Sequence, residues 1–371
     1  MASNLEFAND EFWNHTRELG ASLAELEASR ALRVRSAADF ASETPPTIPW
    51  IAEPLIVAGA ITELSGKVKR GGKTTFLLDA VYHITRGLPW LDHPTKPTPV
   101  VYLTEQPASS FREALKRARL LDCQAMHVVF WADPSGSKWA DVVRQARRLC
   151  AELESCLLVV DTLGKFSGVS GDSENDAGAA AEAMAPLQLA AADGIGVVVS
   201  RHDRKGPGEV GESARGSSQY TGDCDIVLQI KRGEGNTRPT VRILNCLSRF
   251  EIPDTMVVEW TPEGFTLLGS EEDLAAAQAR ESIMGLVGPD GALTEKEIMD
   301  GLPPVVARTT ARRELAKLVH ENALVRSGKG EKGDAYRYSR PEFVSDHIDN
   351  DLVTNEIVFP VEATRQTILT N

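Results

Sequence analysis

At 371 residues the chain is long enough for two or three domains, and its 42% hydrophobic content supports an ordinary buried core. No stretch approaches the roughly 20 apolar residues of a membrane span, and the acidic, polar first residues lack the basic and apolar regions of a signal peptide, so the sequence predicts a cytoplasmic protein with no membrane partner. A net charge of −13 excludes a surface that binds nucleic acid all over, and five cysteines without C-x-x-C or zinc spacing read as reduced core residues.

Residues 1–43 mix acids with apolar residues at helical spacing, and Phe12, Leu19, Leu23, Leu26 and Leu32 line one face. Such a helix packs on the body of the protein or docks onto a neighbouring subunit. The stretch Thr44-Pro-Pro-Thr-Ile-Pro-Trp50 is a proline-stiffened linker, so the first segment is taken as 1–45. From 46 to 270, apolar strands alternate with helical patterns at 74–86, 109–121, 139–153 and 177–192, the signature of a mainly parallel α/β sheet with helices on both faces. The later segments 240–246, 256–260 and 264–267 carry no helix between them and predict an antiparallel extension of one sheet edge.

Within that region, Ile61 to Leu78 reads as strand, glycine-rich turn and helix start around Gly71-Gly-Lys-Thr74. Backbone N–H groups freed by Gly71 and Gly72 can converge on phosphate oxygens at a helix N-terminus, where the dipole also favours an anion. Lys73 would reach the β- and γ-phosphates of ATP, and the Thr74 hydroxyl would coordinate Mg²⁺. The nucleotide-contacting set is therefore Gly66, Lys67, Lys69, Arg70, Gly71, Gly72, Lys73, Thr74 and Thr75. The loop is one residue longer than G-x-x-x-x-G-K-[ST], since position 67 is Lys and the nearest glycine is Gly66.

Downstream, Cys156-Leu-Leu-Val-Val-Asp161 is a buried-type strand ending in an acid. Asp161 holds the Mg²⁺ opposite Thr74, or caps the next turn. The strand Val100-Val-Tyr-Leu-Thr104 leads to Glu105, which either orients and deprotonates the attacking water or is a polar strand end. A further strand, 194–200, runs into Arg201-His-Asp-Arg-Lys205, a phosphate-sensing position or a solvated basic loop. The stretch 205–217 lacks apolar periodicity and is a mobile polymer-binding loop or a plain solvated one.

Residues 271–342 form a separate pattern. A helix over 274–287 is broken by Gly288-Pro-Asp-Gly291, and Thr294 with Glu297 starts a second helix with capping-box spacing. A third helix covers 309–322 and is followed by two short strands around the glycine-rich turn 328–333. From Ala307 to Arg340 nine Lys or Arg face four acids, a local excess against the acidic whole. The tail 343–371 is acidic at its start and reads as flexible or partner-bound.

Taken in order, Gly-Lys-Thr, Tyr-Leu-Thr-Glu, Val-Val-Asp-Thr-Leu, Arg-His-x-x-Lys and Arg-Gly-Ser-Ser resemble the RecA-like P-loop ATPases of the RepA type, hexameric replicative helicases of plasmids and mobile elements. The resemblance covers about 46–268. It implies that Lys73 and Thr74 are the Walker A pair, Glu105 the catalytic base, Asp161 the Walker B acid and His202 the sensor, in a homo-hexamer acting on single-stranded DNA. Arg201 stands where the plasmid helicases usually carry a first His. An inter-subunit arginine finger is also implied, with Arg215, Lys231 and Arg232 as the candidates. The C-terminal pattern resembles a winged helix-turn-helix, which implies that Arg308, Thr310, Arg312, Arg313 and Lys317 face duplex DNA, with Lys329 and Lys332 on the wing; a winged helix used for protein contacts is the alternative. Unwinding by a helicase and ATP-gated DNA binding by a regulator or loader are both compatible with this layout.

Overall fold

A computed structural model describes residues 34–342 apart from 69–70, 135, 155, 170, 204–209, 211–213, 215–216, 234–237 and 290. The chain divides into two units, 1–49 and 50–371. In the first, the described structure is one short helix, Ala37–Glu43 (α1), started by a capping box in which Ser36 and Asp39 satisfy each other's backbone N–H. The apolar face expected from Phe12 to Leu32 lies outside the described residues.

The second unit begins with the small hairpin Trp50–Ala52 (β1) and Ile56–Val57 (β2), then Ile61–Gly66 (β3), Lys73–Arg86 (α2), Val100–Thr104 (β4), Ala108–Arg117 (α3) and Met126–Phe130 (β5). It continues with Trp139–Glu152 (α4), Leu157–Asp161 (β6), Leu163–Ser167 (α5), a 3-10 turn at Gly171–Asn175, Ala177–Ala192 (α6), Gly196–His202 (β7), Ser218–Gly222 (α7) and Ile226–Arg232 (β8). Val241–Ser248 (β9), Thr255–Thr261 (β10) and Gly264–Gly269 (β11) follow. These make a nine-stranded sheet in the order β11-β10-β9-β8-β3-β7-β6-β4-β5. The strands from β8 to β5 are parallel, while β9, β10 and β11 extend one edge antiparallel, as the missing helices predict. This is the RecA-like P-loop NTPase α/β fold.

The parallel strands are nearly continuous apolar runs because both faces are covered. Along β4, Val100 and Tyr102 join the core under α2 and α3, and Val101 and Leu103 join the core under α4 and α6. No element is expected over 122–138, yet β5 lies there. As the outermost strand it is half-buried at every position, and its Met-His-Val-Val-Phe sequence is an apolar, β-rich run broken only by His127, so the signal for a strand is present there.

The last elements are Glu271–Leu286 (α8), Leu293–Thr294 (β12), Glu295–Gly301 (α9), Arg308–His320 (α10), Val325–Ser327 (β13) and Arg337–Ser339 (β14). The three strands form an antiparallel sheet in the order β12-β14-β13, and a separate core containing Ile283, Ile298, Leu315, Leu318 and Tyr338 holds the three helices on it. β12 is too short to register in the sequence pattern. Leu274 of α8 packs against Val241, Ile243 and Val257 of the antiparallel extension. Among the described residues no helix is long and apolar enough to cross a membrane.

One buried carboxylate ties the antiparallel extension to α2. Asp79 accepts hydrogen bonds from Trp90 Nε1 (2.9 Å) and the Phe265 backbone N–H (3.1 Å). Gly264 makes room for it, since a Cβ there would lie 2.4 Å from Asp79 Oδ1. Burial pushes the Asp79 carboxyl above the usual range, against the pull of His83. Asp79→Ala leaves two buried donors unpaired and should lower the unfolding free energy by about 2–4 kcal/mol in urea. The raised folded value means that the contribution is complete at low pH and is lost as pH rises through the folded pKa. Asp79→Asn should therefore flatten the decline in stability just above the usual carboxylate range.

Candidate functional site

The parallel strands deliver their C-terminal residues to one sheet edge, and the chemistry collects there. Gly72, with φ of 85°, is the N-cap of α2, a conformation that side chains with a Cβ rarely adopt. Gly66 ends β3 against Ile230, where a Cβ would meet Ile230 Cγ2 at 2.8 Å. Between them the loop closes through Gly71 N–H donating to Lys67 O at 2.9 Å. Lys69 and Arg70 lie outside the described residues. Arg242 on β9, which sequence reasoning missed, braces the loop by donating from Nε to Gly71 O at 3.3 Å.

Lys73 is 6% exposed and donates from Nζ to Gly66 O (2.7 Å) and to His202 Nδ1 (3.1 Å). A protonated lysine makes His202 Nδ1 an acceptor, leaving the proton on Nε2, which faces Glu105 Oε1 at 4.0 Å. Burial lowers the Lys73 pKa, while Asp161, Asp203 and Glu105 oppose the shift. The ammonium is thus partly desolvated and surrounded by acceptors, ready for an anion that would complete its charge balance.

Asp161, at the end of β6, collects three hydroxyls: Thr74 Oγ1 at 2.7 Å, Tyr102 OH at 3.0 Å and Ser200 Oγ. Neither Tyr102 nor Ser200 is marked as a site residue by local pattern, although each interrupts or ends an apolar run in its strand. Glu105 follows β4 directly, its backbone N–H bonded to Asp161 O and its Oε2 accepting from Thr162 Oγ1 at 2.9 Å. Gln106 Nε2 reaches Thr74 Oγ1 at 3.4 Å. The structure therefore brings Lys73, Thr74, Glu105, Asp161 and His202 together from α2 and the ends of β4, β6 and β7.

Arg201 turns away from this group because successive strand residues point to opposite faces. It pairs with buried Glu63 at 3.0 Å and lies over the Tyr220 ring at 4.1 Å. Of the finger candidates, Arg215 lies outside the described residues, while half-buried Lys231 and exposed Arg232 end β8. Arg232 stands opposite Arg242 in register.

A cleft of about 590 Å³ opens over the loop, lined by Lys67, Thr75, Gln106, Asp161 and, at its far end, Ser110 and Arg117 of α3. Its size suits a nucleoside triphosphate. The Thr74 hydroxyl and the Asp161 carboxylate are hard oxygen donors beside this cleft, which fits Mg²⁺ held jointly with phosphate oxygens. Such an ion supplies charge neutralisation at the phosphates.

The arrangement is that of a P-loop ATPase with a RecA-like fold. Residues 27–208 match the family model described as an AAA domain. Among solved structures, a KaiC-like protein from the hyperthermophilic archaeon Pyrococcus horikoshii OT3 is similar at 16% identity and a TM-score of 0.43, covering 60% of this chain and 97% of that one. A search of curated proteins found no match.

Away from this site, Arg308, Arg312, Arg313 and Lys317 share an exposed stripe of α10, with Thr310 half-buried behind it. Arg308 pairs with Asp300, Arg312 with Glu295, and Lys317 with Glu314. Lys329 and Lys332 are exposed on the turn between β13 and β14.

Thr162 lines the cleft and holds Glu105 through its hydroxyl. Thr162→Val should lower kcat for ATP hydrolysis about tenfold with little change in KM, because the carboxylate loses its fixed orientation. An unchanged kcat in steady-state turnover would remove Thr162 from that role.

Proposed function

We propose that this protein is an ATP-hydrolysing, DNA-associated motor of the RepA-like replicative helicase type, working as a homo-hexamer for a plasmid, phage or mobile element. The observation that carries the reading is the fixed placement of Glu105, held by Thr162 and facing His202, which in turn contacts the phosphate-loop lysine. Glu105 takes the proton of the attacking water; Lys73 offsets charge on the transferred phosphoryl group; His202 senses that group through its contact with Lys73. A cation from a neighbouring subunit, with Arg215, Lys231 and Arg232 as candidates, completes the charge balance.

The C-terminal elements are proposed as a winged helix, with α10 reading duplex DNA and the turn bearing Lys329 and Lys332 as the wing. The Arg308–Asp300 and Arg312–Glu295 pairs are solvent-exposed and worth about 0–1 kcal/mol each, so phosphates can exchange for those carboxylates at small cost, whereas the Glu314 partner of Lys317 is buried. That basic stripe favours a second reading, an ATP-gated DNA-binding regulator or loader that does not unwind.

ATP turnover without DNA, with single strands and with duplex, measured alongside mass by light scattering, separates the two. Stimulation by single strands with a ring-sized mass supports the motor, and nucleotide-dependent duplex binding without stimulation supports the regulator. Lys73→Ala should abolish turnover in either case, and Glu105→Gln should keep ATP binding while lowering kcat on the order of 10²–10⁴-fold. Replacing Arg312 and Arg313 by Ala should weaken duplex binding across sequences and reduce its salt slope by about one per lost phosphate contact. Duplex affinity unaltered by that pair would take α10 out of DNA binding.

A further inference from the structure

The nucleotide-site edge of the sheet also carries an exposed aromatic residue that the ATPase chemistry does not use. Trp131 follows β5 and is 46% exposed, whereas Trp90 is 1% exposed and Trp50, Trp139 and Trp260 are partly buried. Its backbone is firmly held. Trp131 N–H donates to Thr104 O at 2.9 Å, and the next turn is closed by Asp133 N–H to Phe130 O (2.9 Å) and Phe130 N–H to Asp133 Oδ2 (2.8 Å). The ammonium of Lys165, on α5, sits 3.9 Å from the centre of the indole ring.

We infer that Trp131 and Lys165 form a contact for single-stranded nucleic acid, the indole stacking on a base and the ammonium meeting the adjoining phosphate. This rests on the DNA-associated reading above. Three observations lead to it. An aromatic residue on a hydrogen-bonded backbone is close to half exposed, and stacking on its ring is open to any base because every base has a π-face. The pair lies where ligands bind on an open parallel sheet, outside the carboxyl ends of the strands. It is also joined to the hydrolytic carboxylate from two sides: Thr104, which bonds Trp131, directly precedes Glu105, and Thr162, which bonds Glu105, directly precedes α5.

From Lys165 a hollow of about 250 Å³ runs past Val169 and Arg201 to Glu105 and His202. Arg201 is spent on Glu63, so a strand seated on Trp131 would meet Lys165 as the cation beside the ring, on a chain whose net charge is −13. Tension or ordering at the loops after β5 and β6 would reach Glu105 through one backbone bond and one side-chain bond, a route by which occupancy could alter turnover.

The test uses the full chain and its own tryptophan emission during titration with an oligo-dT single strand at low salt, with a duplex of equal length as comparison and DNA-free ATP turnover as the measure of intact folding. Single strands should quench the wild-type emission. Trp131→Phe should lose most of the quench and keep affinity within a few-fold; Trp131→Ala should weaken binding roughly 5–100-fold with DNA-free turnover unchanged. Lys165→Ala should weaken binding and lower the salt slope by about 0.7. Wild-type quenching in Trp131→Phe, or undiminished single-strand affinity in Trp131→Ala, overturns the site while leaving DNA association intact. Absence of any nucleic-acid binding by the wild type overturns both.

Discussion

The carboxylate of Asp161 is the point on which the nucleotide site depends. A buried charge is tolerated only when enough donors replace the water it loses, and Asp161 draws them from three elements: Thr74 on α2, Tyr102 on β4 and Ser200 on β7. Because these hydroxyls converge on one group, the phosphate-loop helix and three strands share a common anchor. Burial first, and then the adjoining Asp161 carboxylate, push the Tyr102 hydroxyl pKa well up, keeping it a neutral donor at any ordinary pH. Lys73 is the complementary case. Its ammonium is held by the Gly66 carbonyl and by His202, two neutral acceptors that an incoming phosphate can replace.

Strand pleating sorts the adjacent residues Arg201 and His202 into different tasks. His202 faces the nucleotide cleft, while Arg201 enters the opposite core to neutralise Glu63, whose side chain is fully buried. A buried ion pair seldom adds stability against an apolar alternative, but breaking one leaves a stranded charge, so the pair holds β3 and β7 to their alignment. The departure from the resemblance at position 201 thus has a structural reason. The position serves the sheet, and the neighbouring histidine alone faces the site.

The C-terminal elements have their own core, yet α8 also packs Leu274 on the antiparallel strands. Those strands carry Arg242 to the phosphate loop and, through the turn at Gly264 and Phe265, fill the space around Asp79 on α2. The helix that begins with Lys73 and Thr74 is therefore bounded on one side by strands that also contact the C-terminal helices. A change in how α8 sits would act on the same surface that supports the nucleotide loop, a physical connection between the two regions that needs no long pathway.

Much of this was legible in the sequence for local reasons. Val-rich apolar runs of five or six residues bounded by turn residues read as strands covered on both faces, Gly-Gly-Lys-Thr marks a turn where backbone N–H groups meet a helix start, and an acid at a strand's end falls on the sheet edge. Lys73, Thr74, Glu105 and Asp161 follow from those rules, as do the antiparallel extension and the three C-terminal helices. What stayed hidden depended on neighbours distant in the chain. Tyr102, Ser200 and Thr162 matter only through the carboxylates that register sets beside them; Arg242 reaches Gly71 across the fold; and the contact of Trp131 with Lys165 joins the turn after β5 to α5, which meet only when the sheet forms. The sequence by itself determined which groups end each strand, since periodicity is a local property. Tertiary structure alone decided which of those groups share a charge, a proton or a cleft, because parallel strand order and register set distances that no spacing along the chain records.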